Sequence, residues 1–212
     1  MLHTAAHLAV ARSYVLAAEP ADKQHSDEAW VASDRSLAAA RCSRIPVAAG
    51  EASRQLAIAM RRSGRSAAAV SLLTKEAGDL DPSHHQTAAV RTTLLLTGAY
   101  SAATSKDRST ALSLMQEASQ EADHRPAVPG LFTVEATQAQ VNACKTSVLN
   151  ALGTPDEGVG IAARLDIDHM QTATCRRQSG ARAWADIARM GNALGCAPQT
   201  FAALQRVGQG AP

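Results

Sequence analysis

The chain has 212 residues, of which 46 are alanine, and its 21 lysines and arginines nearly balance its 19 aspartates and glutamates. Alanine favours helices because it loses no side-chain entropy there, whereas strands need β-branched and aromatic residues, and only 3% of the residues are aromatic. The composition therefore argues against a sheet-based fold, and the lack of a basic excess disfavours direct binding to nucleic acid. We expect an all-α fold, with a single domain over residues 1–212.

Helical periodicity, together with the positions of proline and glycine, predicts ten helices. They are expected near residues 3–18, 24–43, 47–63, 65–80, 85–104, 107–124, 133–152, 155–166, 172–194 and 197–208. Prolines fall between them, where they do no damage, because an interior proline lacks an N–H and clashes with the preceding turn. These prolines are Pro20, Pro46, Pro82, Pro126 and Pro129. Asp107 and Thr154 are candidate N-caps.

The helices are predicted to pair into hairpins. Gly64, Gly153 and Gly195 each end one helix shortly before the next begins, as a residue with positive φ would. A small residue follows five positions after each glycine, and two further segments share this register. The small residues are Ala29, Ala69, Ala111, Gly158 and Thr200, at intervals of 40, 42, 47 and 42 residues. Such a period predicts an α-solenoid of about five antiparallel hairpins that cross at the small residues. An irregular helical bundle is the alternative.

This register matches the second helix of tetratricopeptide (TPR) repeats, although the repeats are longer than the usual ~34 residues. Several stretches resemble the C-terminal TPR-like region of actinobacterial regulators whose N-terminal part is a Cro/C1-type (XRE) helix-turn-helix domain. They are AWVASDRSLAAAR (29–41), PVAAGEASRQLAIAMRRSGRSAAAVSLL (46–73), VRTTLLLTGAYSAA (90–103), DRSTALSLMQEASQEA (107–122), PGLFTVEATQAQV (129–141) and NALGTPDEGV (150–159).

The resemblance covers most of residues 1–165. It implies a TPR-like fold and the effector part of a transcriptional regulator. The DNA-binding role is not carried over, because the first predicted helix already begins at Leu2 and leaves no room for a preceding domain. Gly158 stands where the family pattern has alanine, which costs about 0.5–1 kcal/mol in helix propensity.

In a TPR-like solenoid the first helix of each hairpin lines the concave surface. Counting back from the turn glycines places six side chains on that lining. They are Arg54, Arg61, Tyr100, Asn150, Arg189 and Asn192. Arginine and asparagine can bind the N–H and C=O groups of an extended peptide, or a carboxylate, and tyrosine adds rigid contact area. The alternative is that the arginines form a solvated surface. An error of one position would rotate the set by about 100°.

These features favour a non-catalytic sensor or interaction module that binds a peptide, a small ligand or a protein partner in its groove. The alternative is a protein scaffold or dimerisation platform, in which a second copy of the chain is the partner. An exposed apolar face on a terminal helix would favour the alternative. The segment GQGAP (208–212) provides no cap, so we expect the last hairpin to be loosely ordered or covered by a partner.

Other chemistry has little support in the sequence. His3 and His7 lack further ligands, and Glu121 and His124 form one E-x-x-H motif where a di-iron bundle needs two. The chain has neither a phosphate-binding loop nor a nucleophile elbow. We therefore expect no metal, no cofactor and no enzymatic activity, although Cys144 would become a candidate nucleophile beside an activating base.

The remaining expectations concern the cysteines, the tryptophans and the location. The four cysteines form no C-x-x-C pair and are expected to be reduced, helix-packed thiols in a cytoplasmic protein. Cys175 shares with Cys144 the alternative of being a nucleophile. Trp30 and Trp184 are expected in the core. No signal peptide or membrane-spanning run is present, so no contact with a membrane is expected.

Overall fold

The computed structural model describes residues 2–24, 26–122, 136–165 and 181–209, and these ranges contain ten α-helices and no strand. The helices are α1 (Leu2–Lys23), α2 (Glu28–Ser43), α3 (Pro46–Arg62), α4 (Ser66–Gly78), α5 (His85–Thr104), α6 (Arg108–Ala122), α7 (Gln138–Leu152), α8 (Pro155–Ala162), α9 (Ala181–Ala193) and α10 (Ala197–Gln209). The prediction of an all-helical protein is confirmed. The helical residues predicted over 123–124, 133–135 and 172–180 lie outside the described residues.

Helix α1 does not end before Pro20, so that predicted boundary is wrong. The helix passes through Pro20 and continues to Lys23. The extra turn buries Asp22 and brings its Oδ1 to 3.0 Å from Nε of Arg62 on α3. Contact with α3 therefore offsets the hydrogen bond that the proline removes.

Three other boundaries also differ from the prediction. Helix α7 begins at Gln138, so residues 136 and 137, which were predicted to be helical, are not. Helix α2 begins at Glu28 rather than at residue 24, because α1 occupies the chain as far as Lys23. Helix α8 ends at Ala162 rather than at residue 166. Gly158 and Gly160 both lie within α8, and glycine lowers the helix propensity of so short a segment.

The predicted turn glycines and one of the two predicted caps are found as expected. Gly64, Gly153 and Gly195 have φ values of +75°, +84° and +71°, a backbone conformation that residues other than glycine rarely adopt. The Oδ1 atom of Asp107 accepts a hydrogen bond from the N–H of Thr110 at 3.0 Å, as an N-cap does. Thr154 precedes α8, but its side chain makes no capping hydrogen bond.

The helices pack in the order of the chain. The odd-numbered helices form a continuous row, because α1 contacts α3, α3 contacts α5, α5 contacts α7 and α7 contacts α9. In the described parts, the backbone of each even-numbered helix packs only against the odd-numbered helices next to it in the chain, although side chains of α2 and α4 and of α6 and α8 form ion pairs. The result is two layers, one of odd-numbered and one of even-numbered helices.

The small residues at the predicted crossings are buried or partly buried. Ala29, Ala69, Ala111 and Gly158 are buried, and Thr200 is partly buried. A Cβ atom at Gly158 would lie 2.0 Å from Cε of Met190 on α9. Glycine therefore replaces the expected alanine because Met190 occupies the space that a methyl group would fill.

The core follows the row of odd-numbered helices. The larger cluster lies between α3 and α7 and includes Leu73, Val90 and Leu94, and a smaller cluster joins α1 to α3. A Cβ atom at Gly50 on α3 would lie 2.5 Å from Cγ1 of Val90 on α5. The close contact of α3 with α5 brings the side chains on the open face of these helices near one another.

The tryptophans lie at the edges of the core. Trp30 and Trp184 are partly buried against apolar clusters, with the guanidinium groups of Arg65 and Arg206 lying 5.4 Å and 5.2 Å from the ring centres. Cys42 is exposed, contrary to the expectation of a packed thiol. The neighbouring Ala40 and Ser43 take the buried positions on that turn of α2.

Candidate ligand-binding site

A cavity of about 450 Å³ opens on the layer of odd-numbered helices, where side chains of α1, α3, α5, α7 and α9 converge. Its size is within the range of pockets that hold small ligands. The wall is formed by Glu19, Asp22, Lys23, Arg54, Gln55, Ile58, Arg61, Arg62, Leu96, Thr97, Tyr100, Gln140, Ala143, Cys144, Ser147, Ala181, Arg182 and Ala183.

Three of the predicted site residues, Arg54, Arg61 and Tyr100, lie in this wall. Arg54 and Arg61 are seven positions apart on α3, so they lie on one face of the helix, two turns from each other. Tyr100 lies on the neighbouring α5. The periodicity of α3 therefore allowed this face to be predicted from the sequence.

Asn150, Arg189 and Asn192 lie outside the wall of the cavity. Asn192 is exposed on α9. Asn150 and Arg189 instead bind the buried carboxylate of Asp186, at 3.2 Å from Nδ2 and 2.6 Å from Nη1, respectively. Ser147 also donates a hydrogen bond to Asp186, so this carboxylate joins α7 to α9.

The later helices contribute residues that the sequence analysis missed. Gln140, Cys144 and Ser147 follow one another at steps of four and three residues, so they share one stripe of α7. Asn150 is three positions after Ser147, but lies about 120° around the helix from Cys144. Arg182 lies seven positions before Arg189 on α9. The predicted face of α9 thus contains a wall residue, but the cavity lies about two turns nearer the start of that helix. Periodicity in the sequence shows on which side of a helix a side chain lies. It does not show at which point along the helix axis the neighbouring helices form the cavity.

Two ion pairs account for part of the charge around the cavity. Nε of Arg62 lies 3.0 Å from Asp22, and Nζ of Lys23 lies 4.0 Å from Glu19. Of the cationic side chains in the described wall, Arg54, Arg61 and Arg182 form no ion pair within the described residues. The cavity therefore carries excess positive charge.

Arg54 is the most enclosed of these three arginines. Its Nε is buried and has no hydrogen-bond acceptor within the described residues. Burial lowers the pKa of its guanidinium, an effect that the negative charge of Glu19 partly opposes. A buried donor without a partner costs free energy, which an anion in the cavity would recover.

Tyr100 holds the other two arginines together. The guanidinium carbons of Arg61 and Arg182 lie 4.9 Å and 4.5 Å from the centre of its ring, within the range of cation–π contacts. Burial lowers the pKa of Arg61 to about 10, although the nearby Tyr100 favours its charged form. Arg61 therefore remains protonated at neutral pH.

Cys144 lies in the same wall as a neutral thiol. Burial raises its pKa to about 11, and its Sγ lies 3.6 Å from the carbonyl oxygen of Leu96. The nearby charge of Arg182 lowers the pKa only in part. Since the thiolate is the nucleophilic form, this environment suppresses reactivity. The described part of the wall contains no histidine that could act as a base.

The described residues form no candidate metal site. Among them, no three of His, Cys, Asp or Glu lie close enough together to hold a metal ion. None of the described helices combines the length and apolar character that a membrane crossing requires.

Comparison with family models, curated proteins and solved structures yields no match to this chain.

Proposed function

We propose that this chain is a non-catalytic, TPR-like helical-repeat module that binds a small ligand or a short peptide in the cavity lined by Arg54, Arg61 and Tyr100. On this proposal it is a sensor similar to the effector part of Cro/C1-type regulators. Ligand binding would favour one of two arrangements of the helices through its different affinity for each.

The order of helix contacts supports a solenoid. In stacked hairpins, the first helices form a row and the second helices flank it. The odd-numbered and even-numbered helices of this chain make the contacts expected of such an arrangement. The stacked first helices of such an array line one surface, and the cavity lies on that side. A solenoid of this kind recognises partners along its concave face.

The chemistry of the wall supports binding rather than catalysis. The buried Cys144 is held as a thiol, and Arg61 remains charged at neutral pH. Such a wall offers donors and positive charge, but lacks a nucleophile with an adjacent base within its described part. The single observation that carries the proposal is the enclosed, unpaired Arg54 in a cavity of small-ligand size.

Filling the cavity tests this function. Thr97 lies in the wall and donates to the carbonyl oxygen of Thr93 at 2.8 Å, so Thr97→Trp projects an indole from that position. The matched control is Thr74→Trp on α4, since Thr74 is exposed and donates in the same way to the carbonyl oxygen of Val70 at 2.9 Å.

Thermal unfolding of the three proteins would be measured with a library of amino acids, organic acids, nucleotides and dipeptides. We expect at least one compound to raise the Tm of the native chain and of Thr74→Trp, but not of Thr97→Trp. If no compound distinguishes the two variants, the cavity is not a ligand site and the function is wrong.

A protein-interaction platform is the second candidate, and an exposed apolar face supports it. Phe201 and Leu204 on the terminal α10 are 67% and 50% exposed. They lie three positions apart and therefore on the same side of the helix. Large exposed apolar side chains at the end of a helical array favour a partner there.

The solution mass of the chain tests this second candidate. Sedimentation would be measured over a range of concentrations for the native chain and for the double variant Phe201→Ser and Leu204→Ser. Self-association that the double variant abolishes would support a homodimer through α10. A native chain that remains monomeric throughout would exclude self-association as the function.

A further inference from the structure

Three arginines in the wall of the cavity, Arg54, Arg61 and Arg182, form no ion pair with an acid among the described residues. We propose that the ligand is a small organic molecule with a free carboxylate beside an apolar group, and that Arg54 and Arg182 bind the carboxylate. This inference rests on the proposed function, because it names the chemical class of ligand for the same cavity.

The need for an anion follows from the distribution of charge. The acids in the described wall, Glu19 and Asp22, each already have a cation of their own. Burial disfavours the charged form of the Arg54 guanidinium, Glu19 opposes this only in part, and Arg182 lies near enough to repel it. An anionic ligand supplies both the missing charge and the missing acceptors.

The donors and the apolar part of the wall together favour a carboxylate. Guanidinium groups present parallel N–H donors that match two oxygen atoms of a carboxylate or a phosphate. Much of the remaining wall is apolar and includes Ile58, Leu96 and Ala143. A ligand that is charged at one end and apolar at the other satisfies both parts of the wall, whereas a polyphosphate would leave its phosphates against apolar carbon.

The shape of the site favours a compact ligand over an extended peptide. The two asparagines predicted to bind a peptide backbone, Asn150 and Asn192, lie outside the cavity wall. The ring of Tyr100 already carries Arg61 and Arg182, so Tyr100 is a positioning residue that orients the guanidinium groups. The free carboxylate could belong to a small organic acid or to the C-terminus of a short peptide.

Four probes separate these chemistries. Titration calorimetry would use 3-phenylpropionate and its neutral amide, and N-acetylphenylalanine and its neutral amide. The first acid represents a free organic acid, whereas the second also carries the N–H of a peptide C-terminus. In both pairs, the amide removes the charge and retains the apolar ring.

Two variants test whether Arg54 and Arg182 bind the carboxylate, and a third variant serves as their control. Arg54→Met removes the enclosed guanidinium, and Arg182→Gln removes an exposed one that the fold can lose without a cavity forming. Arg164→Gln is the matched control, because Arg164 is exposed and lies outside the wall, and its one hydrogen bond within the described residues goes to the carbonyl oxygen of Gly160. Circular dichroism would establish that each variant folds, and Arg182→Gln keeps the test valid if Arg54→Met does not.

We expect at least one acid to bind, its amide to bind at least about tenfold more weakly, and each of Arg54→Met and Arg182→Gln to weaken the acid by about tenfold to a hundredfold. Arg164→Gln should bind like the native chain. The tighter of the two acids then indicates the source of the carboxylate.

Equal binding of an acid and its amide would overturn the inference while leaving the proposed function in place. Failure of both acids to bind at millimolar concentration would also overturn it. The library experiment on Thr97→Trp would then show separately whether the cavity binds anything else.

Discussion

Arg91 on α5 and Arg54 on α3 lie on adjacent helices, but their guanidinium groups have different surroundings. Arg91 donates to Glu117 and Glu121 on α6 and, at 2.9 Å, to the carbonyl oxygen of Ala77 on α4. Arg54 has no such partner among the described residues, and its Nε is buried. One arginine ties three helices together, whereas the other faces a cavity.

The comparison distinguishes a charge that stabilises the fold from a charge that is available to a ligand. A buried ion pair with all its donors satisfied holds elements in register, and losing one member leaves a costly charge behind. A buried charge without a partner adds little stability to the free protein, and on the proposed function a ligand supplies its partner. Substitutions at charges of each kind test this difference.

Loss of the Arg91 contacts should cause the largest loss of stability. We expect Arg91→Met to lower the free energy of unfolding by about 3 kcal/mol, because the carboxylate of Glu121 would remain largely buried without its cation. Urea denaturation followed by circular dichroism measures the change. A loss below about 1 kcal/mol would show that these ion pairs do not hold the helices together.

The reactivity of Cys144 tests how far this part of the cavity is shielded from water. With a pKa of about 11 instead of 9.0, the thiolate fraction at pH 8 falls about a hundredfold, so alkylation by iodoacetamide should slow by that factor. The raised pKa also means that stability linked to this thiol is present below pH 9 and is lost as the pH rises through about 11.

Mass spectrometry of peptides can follow the alkylation of Cys144 and of the exposed Cys42 in the same sample. The rate at Cys144 should continue to rise up to about pH 11. A rate that levels off below pH 9 would indicate a solvated thiol and an open, wet cavity.

The Asp186 contacts should have a smaller effect than those of Arg91. Asp186 is 5% exposed and accepts hydrogen bonds from Ser147, Asn150 and Arg189. Asp186→Asn replaces acceptors with an amide N–H₂ group that faces donors, so we expect a loss of about 1 to 2 kcal/mol. Guanidinium denaturation would measure it, and an unchanged midpoint would mean that this carboxylate does not join α7 to α9.

The smallest effect is expected for an ion pair at the surface. Arg41 on α2 lies 3.0 Å from Glu76 on α4, but its side chain is 57% exposed. We expect Arg41→Met to change the unfolding free energy by less than about 1 kcal/mol, because water competes for both charges. A loss as large as that of Arg91→Met would show that burial does not explain the difference between the two pairs.

Local rules in the sequence accounted for much of the fold. The abundant alanine, the turn glycines and the spacing of small residues predicted the helices and most of their ends. The boundary at Pro20 was wrong because the ion pair between Asp22 and Arg62 depends on contact with another helix. Cys42 was also misplaced, since its face of α2 is decided by the packing of the neighbouring residues.

The candidate site was predictable in part, for a related reason. The periodicity of α3 selected Arg54 and Arg61, which lie in the wall, whereas the same reasoning on α7 and α9 selected residues outside it. It could not show where along each stripe the cavity lies, because this depends on how far neighbouring helices are shifted along their axes. Arg182 was missed for that reason, although it shares its stripe with Arg189.

The most direct test of the central claim compares the stability of the native chain and Arg54→Met, each with and without saturating 3-phenylpropionate. Without the acid, Arg54→Met should be at least as stable as the native chain, because it removes an unpaired buried charge. With the acid, the native chain should gain free energy of unfolding and the variant should not. The account would be contradicted if Arg54→Met were much less stable than the native chain without the acid. It would also be contradicted if the acid raised the free energy of unfolding of both proteins equally, because Arg54 would then not bind the carboxylate.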